Sequence, residues 1–82
     1  MKIGMLWNGK NVHEAKEYFI KKYGRIPDTV EISPIFINKF EIKNGNIEGL
    51  RTQVCKEIQV GNILIGIEND ENNSGYIKIK EN

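Results

Sequence analysis

One stretch decides the fold, residues 11–34, which run NVHEAKEYFIKKYGRIPDTVEISP. Asn11 is a favourable helix N-cap, and Glu14 three residues later completes a capping box. Apolar side chains then recur at helical spacing: Val12, Ala15, Tyr18, Phe19 and Tyr23. Gly24 suits the left-handed position that ends a helix, and Pro27 prevents its continuation. The stretch therefore predicts an amphipathic helix from residue 12 to residue 23.

Strands are predicted on both sides of this helix. Residues 2–7 place Ile3, Met5 and Trp7 on one face and Leu6 on the other, as a half-buried strand does. Residues 28–33 form a second candidate strand, which Pro34 ends. Strand, helix and strand in this order are typical of the beginning of a βαβ unit.

The rest of the chain shows the pattern of hairpins. Asn44-Gly45 is a strong signal for a type I′ turn. The strands predicted here are residues 36–43, 46–50, 51–58, 62–68 and 76–80. Residues 62–68 are the most apolar and should lie at the centre of the sheet, whereas 76–80 alternate with lysine like an edge strand. The prediction is a single α+β domain, residues 1–82, with mostly antiparallel hairpins and one main helix on one sheet face.

Composition narrows the classes of function. A chain of 82 residues has room for one domain with a thin core, which disfavours a deep catalytic cleft. Twelve basic and eleven acidic residues give a net charge of +1, whereas nucleic-acid-binding domains are usually far more basic. Neither a membrane span nor a signal peptide is visible, and a single cysteine fits a reducing compartment. We therefore expect a cytoplasmic protein, which includes the cytoplasm of an infected cell.

A calcium site is one hypothesis. Residues 70–81 resemble an EF-hand calcium loop, with oxygen-bearing Asp70, Asn72 and Ser74 at alternate positions, Gly75 at the turn and Glu81 at the twelfth position. An EF-hand needs helices on both sides of its loop, but residues 62–68 have the pattern of a strand. The alternative is a solvated hairpin loop that binds no metal.

The beginning of the helix is a second candidate site. Free backbone N–H groups near Lys10 could hold an anion, although no glycine-rich phosphate loop precedes the helix. The alternative is an ordinary strand–helix connection. His13 is expected to be a surface histidine, and Cys55 an inert, partly buried thiol. No catalytic set, metal set or cofactor motif can be assembled from the remaining residues.

The helix region also carries a local positive charge. Residues 10–25 contain five basic and two acidic side chains, among them Lys21 and Lys22 in the last helical turn. Such a face could bind nucleic acid weakly, but lysines at a helix C-terminus also stabilise the helix dipole without any ligand. No aromatic side chains are expected between them, since Tyr18, Phe19 and Tyr23 are assigned to the core.

The middle of the chain is similar to the late, C-terminal part of tailed-phage major capsid proteins. The similarity comprises the helix, Gly24, residues 27–34, Gly49-Leu50 with Val54, and residues 60–66. It covers about half of the chain. Val54 stands further from Leu50 than in those capsids, and no proline precedes it. The resemblance implies a compact α+β module from a phage or mobile element, made for packing against protein.

The leading prediction is therefore a non-enzymatic protein-interaction or assembly module that acts through a sheet edge or a helix face. The candidate interaction residues are Trp7, Lys10, Lys21, Lys22, Phe36 and Phe40. The aromatic ones could anchor a contact or could belong to the core. The expected partner is protein, either a second copy or another chain, with neither a membrane nor a cofactor involved. The alternatives are a calcium or anion binder and a weak nucleic-acid binder.

Overall fold

A computed structural model describes residues 1–68 and confirms the α+β class. Its elements, in chain order, are β1 (Ile3–Asn8), α1 (Val12–Tyr23), β2 (Thr29–Ile32), a short 3₁₀ helix (Ile37–Lys39), β3 (Asn46–Ile47), β4 (Leu50–Val54) and β5 (Asn62–Ile67). One sheet contains all five strands. The strand–helix–strand opening is present as predicted.

Helix α1 begins and ends at the predicted residues. The Oδ1 atom of Asn11 accepts a hydrogen bond from the backbone N–H of Glu14 at 3.0 Å, which is the expected N-cap bond. Gly24 is left-handed with φ 68°, and its N–H donates to the carbonyl of Ile20 at 2.7 Å. Local signals therefore determine both helix ends.

The sheet has the strand order β1-β5-β2-β4-β3. Strand β5 runs antiparallel to both β1 and β2, so β1 and β2 are parallel to each other with β5 between them. Strand β5 therefore lies between β1 and β2, the two strands of the strand–helix–strand opening. Residues 62–67 have a strand on each side, as their apolar composition predicted, although β2 is the middle strand.

The expectation of mostly antiparallel hairpins needs one correction, because β2 and β4 pair in parallel. Within residues 1–68, β3 and β4 form the one local hairpin. The N–H of Arg51 donates to the carbonyl of Asp28 at 3.0 Å, which starts β4 at the same end of the sheet as β2. The chain between them therefore crosses back over the length of the sheet.

The predicted strand at residues 36–43 was wrong. The carbonyl of Ser33 accepts the N–H groups of both Phe36 and Ile37, at 3.1 and 2.9 Å, and the chain turns into the 3₁₀ helix. The rings of Phe36 and Phe40 then meet edge to face, with centroids 5.1 Å apart. Side chains four residues apart meet in a helical turn but not along a strand, so this contact favours the turn.

The predicted strand at residues 46–50 is interrupted. Asn44 and Gly45 both have positive φ, as the predicted type I′ turn requires, but so do Glu48 and Gly49. The turn at Glu48 and Gly49 ends β3 at Ile47, and β4 begins at Leu50. At its other end β4 stops at Val54 rather than residue 58, because Ile58 N–H turns back to the carbonyl of Cys55 at 3.2 Å.

The core lies between α1 and one face of the sheet. It consists of Met5, Val12, Ala15, Phe19, Val30, Ile32, Ile47, Leu50, Ile63, Ile65 and Ile67. The other face carries Leu6 of β1, which is 63% exposed, opposite Leu64 of β5. Within residues 1–68, the α-helix therefore covers one face of the sheet only.

No helix in this range is long and apolar enough to cross a membrane.

Candidate interaction surface

Strand β1 is the long edge of the sheet. Among residues 1–68 it pairs only with β5, and its six residues include neither a charged side chain nor a proline. Natural sheets usually protect such an edge with lysine, proline, a bulge or a very short strand. At the opposite edge β3 has only two residues, enclosed by two tight turns. Within residues 1–68 the two edges are therefore unlike, and β1 is the one that neither charge, proline nor brevity protects.

The hydrogen-bond register shows which β1 residues face outward. Gly9 N–H donates to the carbonyl of Gly61 at 2.7 Å, so these two residues form a hydrogen-bonded pair. Antiparallel ladders alternate between such pairs and non-hydrogen-bonded pairs. The backbone groups of Ile3, Met5 and Trp7 therefore point to β5, and those of Gly4, Leu6 and Asn8 point away from the sheet.

An aromatic pair lies next to this edge. The rings of Trp7 and Tyr18 are 5.4 Å apart and inclined by 51°. Tyr18 is 50% exposed, so its assignment to the core was wrong, whereas Phe19 is fully buried as expected. At 3.6 residues per turn, Tyr18 lies about 100° from Phe19 around the helix, which puts it at the border of the apolar stripe.

A shallow groove of about 420 Å³ extends from this pair along the helix. It is lined by Trp7, Glu14, Glu17, Tyr18, Ile20 and Lys21. The helical residues recur every three or four positions, which places them on one face of α1. We call these six residues together with Leu6 the β1 edge surface. It combines outward-facing backbone, exposed aromatic and aliphatic area, and charges of both signs.

The predicted aromatic residues have different environments. Phe36 and Phe40 are half-buried, pack against the core cluster and contact each other. Trp7 also packs against the core, but its ring lines the groove as well. Of the three, Trp7 is the one whose position suits a contact with a partner.

The predicted cations do not form one patch. Lys21 lines the groove at β1, whereas Lys16 points the other way and donates to the carbonyl of Glu48 at 3.1 Å. The ammonium group of Lys22 lies 5.4 Å from the ring centroid of Tyr23. Lys10 lines a separate groove with Phe40, in which two lysines, Lys10 and Lys39, are balanced by two glutamates. A continuous basic face for nucleic acid is therefore not assembled from these side chains.

The beginning of α1 uses its backbone donors locally. Gly9 N–H bonds to Gly61, Val12 N–H bonds to the carbonyl of Lys10, and Asn11 accepts from Glu14 and Ala15. An anion at this position would have to displace the cap. The geometry is that of the ordinary strand–helix connection.

The other candidate residues have unremarkable surroundings. His13 is exposed, and its Nε2 lies 3.2 Å from a carboxylate oxygen of Glu17, one helical turn away. Cys55 is partly buried, as predicted. Residues 1–68 contain no group of three or more His, Cys, Asp or Glu side chains that could hold a metal ion. The calcium hypothesis for residues 70–81 and the strand predicted at 76–80 lie outside the described residues.

One polar network was not predicted from the sequence. The Oδ1 atom of Asp28 accepts hydrogen bonds from the hydroxyl of Thr29, at 2.7 Å, and from the N–H of Glu68, at 2.9 Å. The N–H of Asp28 also donates to the carbonyl of Gly66 at 2.9 Å. Glu68 in turn lies 3.5 Å from the amino group of Met1. These contacts fasten the end of β5 to β2 and to the chain start, which is a structural role.

No protein-family model, curated protein or solved structure matches the chain.

Proposed function

We propose that this protein is a non-enzymatic protein-interaction module and that the β1 edge surface is its contact site. One observation carries the proposal: within residues 1–68, an uncharged edge strand of six residues lies beside an aromatic pair, the partly buried Trp7 and the exposed Tyr18. An unpaired strand edge is a ready template for an added strand, because its outward N–H and C=O groups need partners.

The physical chemistry of the surface suits protein rather than a small ligand. Gly4, Leu6 and Asn8 offer backbone donors and acceptors in a row, which matches the hydrogen-bond repeat of an added strand. Trp7 and Tyr18 offer rigid amphipathic rings, which are common in protein interfaces. The groove is shallow and open, whereas small-molecule sites are concave and enclose most of the ligand.

The resemblance of the middle segment to phage capsid proteins supports the same role, since those segments pack against protein. On that basis we propose a phage or mobile element as the origin of the chain. The single cysteine supports a cytoplasmic location.

Site-specific photo-crosslinking tests the proposal. A photoreactive amino acid replaces Leu6, which is 63% exposed in β1, and in a control replaces Val54, which is 59% exposed and lies three strands away. Both proteins are irradiated in pure form and in extract of the producing cells. We expect a discrete protein adduct from position 6 in at least one of the two samples, with much less adduct from position 54. Equal yields at the two positions, or no adduct at position 6, would refute the proposed contact site.

A further inference from the structure

We infer that the strand that pairs with β1 is the β1 strand of a second copy of this chain, in antiparallel orientation about a two-fold axis. This inference rests on the proposed function and identifies its partner. It follows from three features of the β1 edge surface: its backbone register, its side-chain pattern and the order of its charges.

The backbone register allows β1 to pair with itself. If the axis passes between the two Leu6 residues, Leu6 faces Leu6 of the other copy, and Gly4 faces Asn8. Gly4, Leu6 and Asn8 are the three residues whose backbone groups point outward, so all three become hydrogen-bonded pairs. The two sheets then join into one continuous sheet, and both long edges are satisfied at once.

The side chains in this register are also compatible. On the open face, the exposed Leu6 side chains meet at the axis. On the helix face, Met5 of one copy stands opposite Trp7 of the other, which extends the aromatic and apolar contact of Trp7 with Tyr18. Cross-strand aromatic and aliphatic pairs stabilise antiparallel sheets by about 0.2–1 kcal/mol each relative to alanine pairs.

The charges of the helix face complement themselves under the same axis. Along the groove face of α1, the acidic Glu14 and Glu17 precede Tyr18 and the basic Lys21 follows it. The Tyr18 ring contacts Trp7, which is the neighbour of Leu6 in β1. A two-fold axis at Leu6 makes the two helices antiparallel, so Glu14 of each copy lies towards Lys21 of the other. An isologous interface needs such self-complementarity. A foreign strand could use the backbone groups alone, whereas the two-fold pairing also uses the charges of α1, whose order suits the helix dipole as well.

The test measures the oligomeric state of the full chain. Light scattering after size exclusion and sedimentation are run over a wide range of protein concentration. We expect a monomer–dimer equilibrium. Leu6→Lys should weaken the dimer by about 100-fold or more, because it places two like charges at the axis. Val54→Lys, at a similarly exposed position three strands away, should leave dimerisation unchanged.

A charge exchange tests the register independently of position 6. Glu14→Lys and Lys21→Glu should each weaken the dimer by about 3–10-fold at low salt, and the double variant should recover most of that loss. Far-UV circular dichroism confirms that each variant is folded. A double variant no better than the worse single variant would overturn the antiparallel register.

The outcomes separate this inference from the proposed function. A chain that is monomeric at every concentration overturns the second-copy inference, and so does a dimer that Val54→Lys disrupts while Leu6→Lys does not. If a monomeric chain still gives position-6 adducts with another protein, the proposed contact site stands and only the identity of the partner was wrong. If neither a dimer nor an adduct is found, both are refuted.

Discussion

Gly66→Ala should destabilise the protein, because Gly66 lies in β5 where the backbones of β1 and β5 approach closely. A methyl group at position 66 would collide with the carbonyl oxygen of Ile3 and would lie 2.9 Å from the Cα atom of Gly4. Both neighbours are backbone atoms in a paired strand. They can move away only if the β1–β5 ladder shifts.

The size of the effect can be estimated from two opposing terms. Overpacking a tight site costs about 1–3 kcal/mol, and a backbone collision belongs at the upper end, about 3 kcal/mol. Alanine regains about 0.5–1 kcal/mol, since glycine loses more conformational freedom in a strand. The net loss is about 2 kcal/mol, from a total of about 4–12 kcal/mol expected for a domain of this size. The melting temperature should fall by about 8–16 °C.

Gly4→Ala is the matched control. Gly4 is the register partner of Gly66 in β1, but the atoms nearest to a methyl group there would be side-chain atoms of Leu64 and Met1, both at 3.1 Å. These groups can rotate away, so Gly4→Ala should stay within about 1 kcal/mol of the original protein. Urea unfolding followed by the fluorescence of Trp7, the sole tryptophan, measures both variants at one fixed protein concentration. Equal stability of the two variants would refute the close-approach argument.

Three further substitutions test the helix, the core and the hairpin. Asn11→Ala removes the N-cap oxygen and should cost about 1 kcal/mol by thermal unfolding, whereas Asn11→Ser should be nearly neutral. Phe19→Ala empties a fully buried site and should cost about 3–5 kcal/mol in urea, with loss of near-UV circular dichroism. Gly45→Ala forces a side chain into φ 78° and should cost about 1–2 kcal/mol in urea. If Asn11→Ala, Phe19→Ala or Gly45→Ala matches the original protein in stability, the role assigned to that residue is contradicted.

The helix could be predicted in detail because its signals are local. Asn11, Gly24 and Pro27 act through bonds and torsions within a few residues of the helix ends. The alternation of Ile3, Met5 and Trp7 similarly identified the buried face of β1, since side chains alternate along any strand. Such features do not depend on which strands are neighbours.

The strand order could not be predicted in the same way. β5 pairs with β1 and β2 through contacts more than thirty residues apart in sequence, and no local pattern encodes that choice. The strand predicted at residues 36–43 was wrong for a related reason. Phe36 and Phe40 fit the apolar positions of a strand and of a helical turn alike, and the bonds to Ser33 decide between them.

The proposed contact surface could be derived from the sequence only in part. Trp7 and Lys21 were singled out from the sequence, but the groove between them depends on how α1 lies over β1. Tyr18 could have been recognised as a border residue from its angle around the helix. That β1 is an edge follows only from the strand order, and without it neither Leu6 nor the order of charges on α1 points to a partner.

The contrast between the two sheet edges is the strongest reason to expect that β1 is used. An uncharged edge strand is an aggregation hazard, and β3 shows that the other edge of this sheet is limited by brevity and tight turns. A charged side chain in place of Leu6 would remove the hazard with little loss of folding stability, because Leu6 is largely exposed. Its apolar side chain adds little to the core of residues 1–68 and is available for a contact outside them. Closed two-fold pairing supplies one, since it satisfies the edge in both copies and leaves no free β1 edge on which further chains could add.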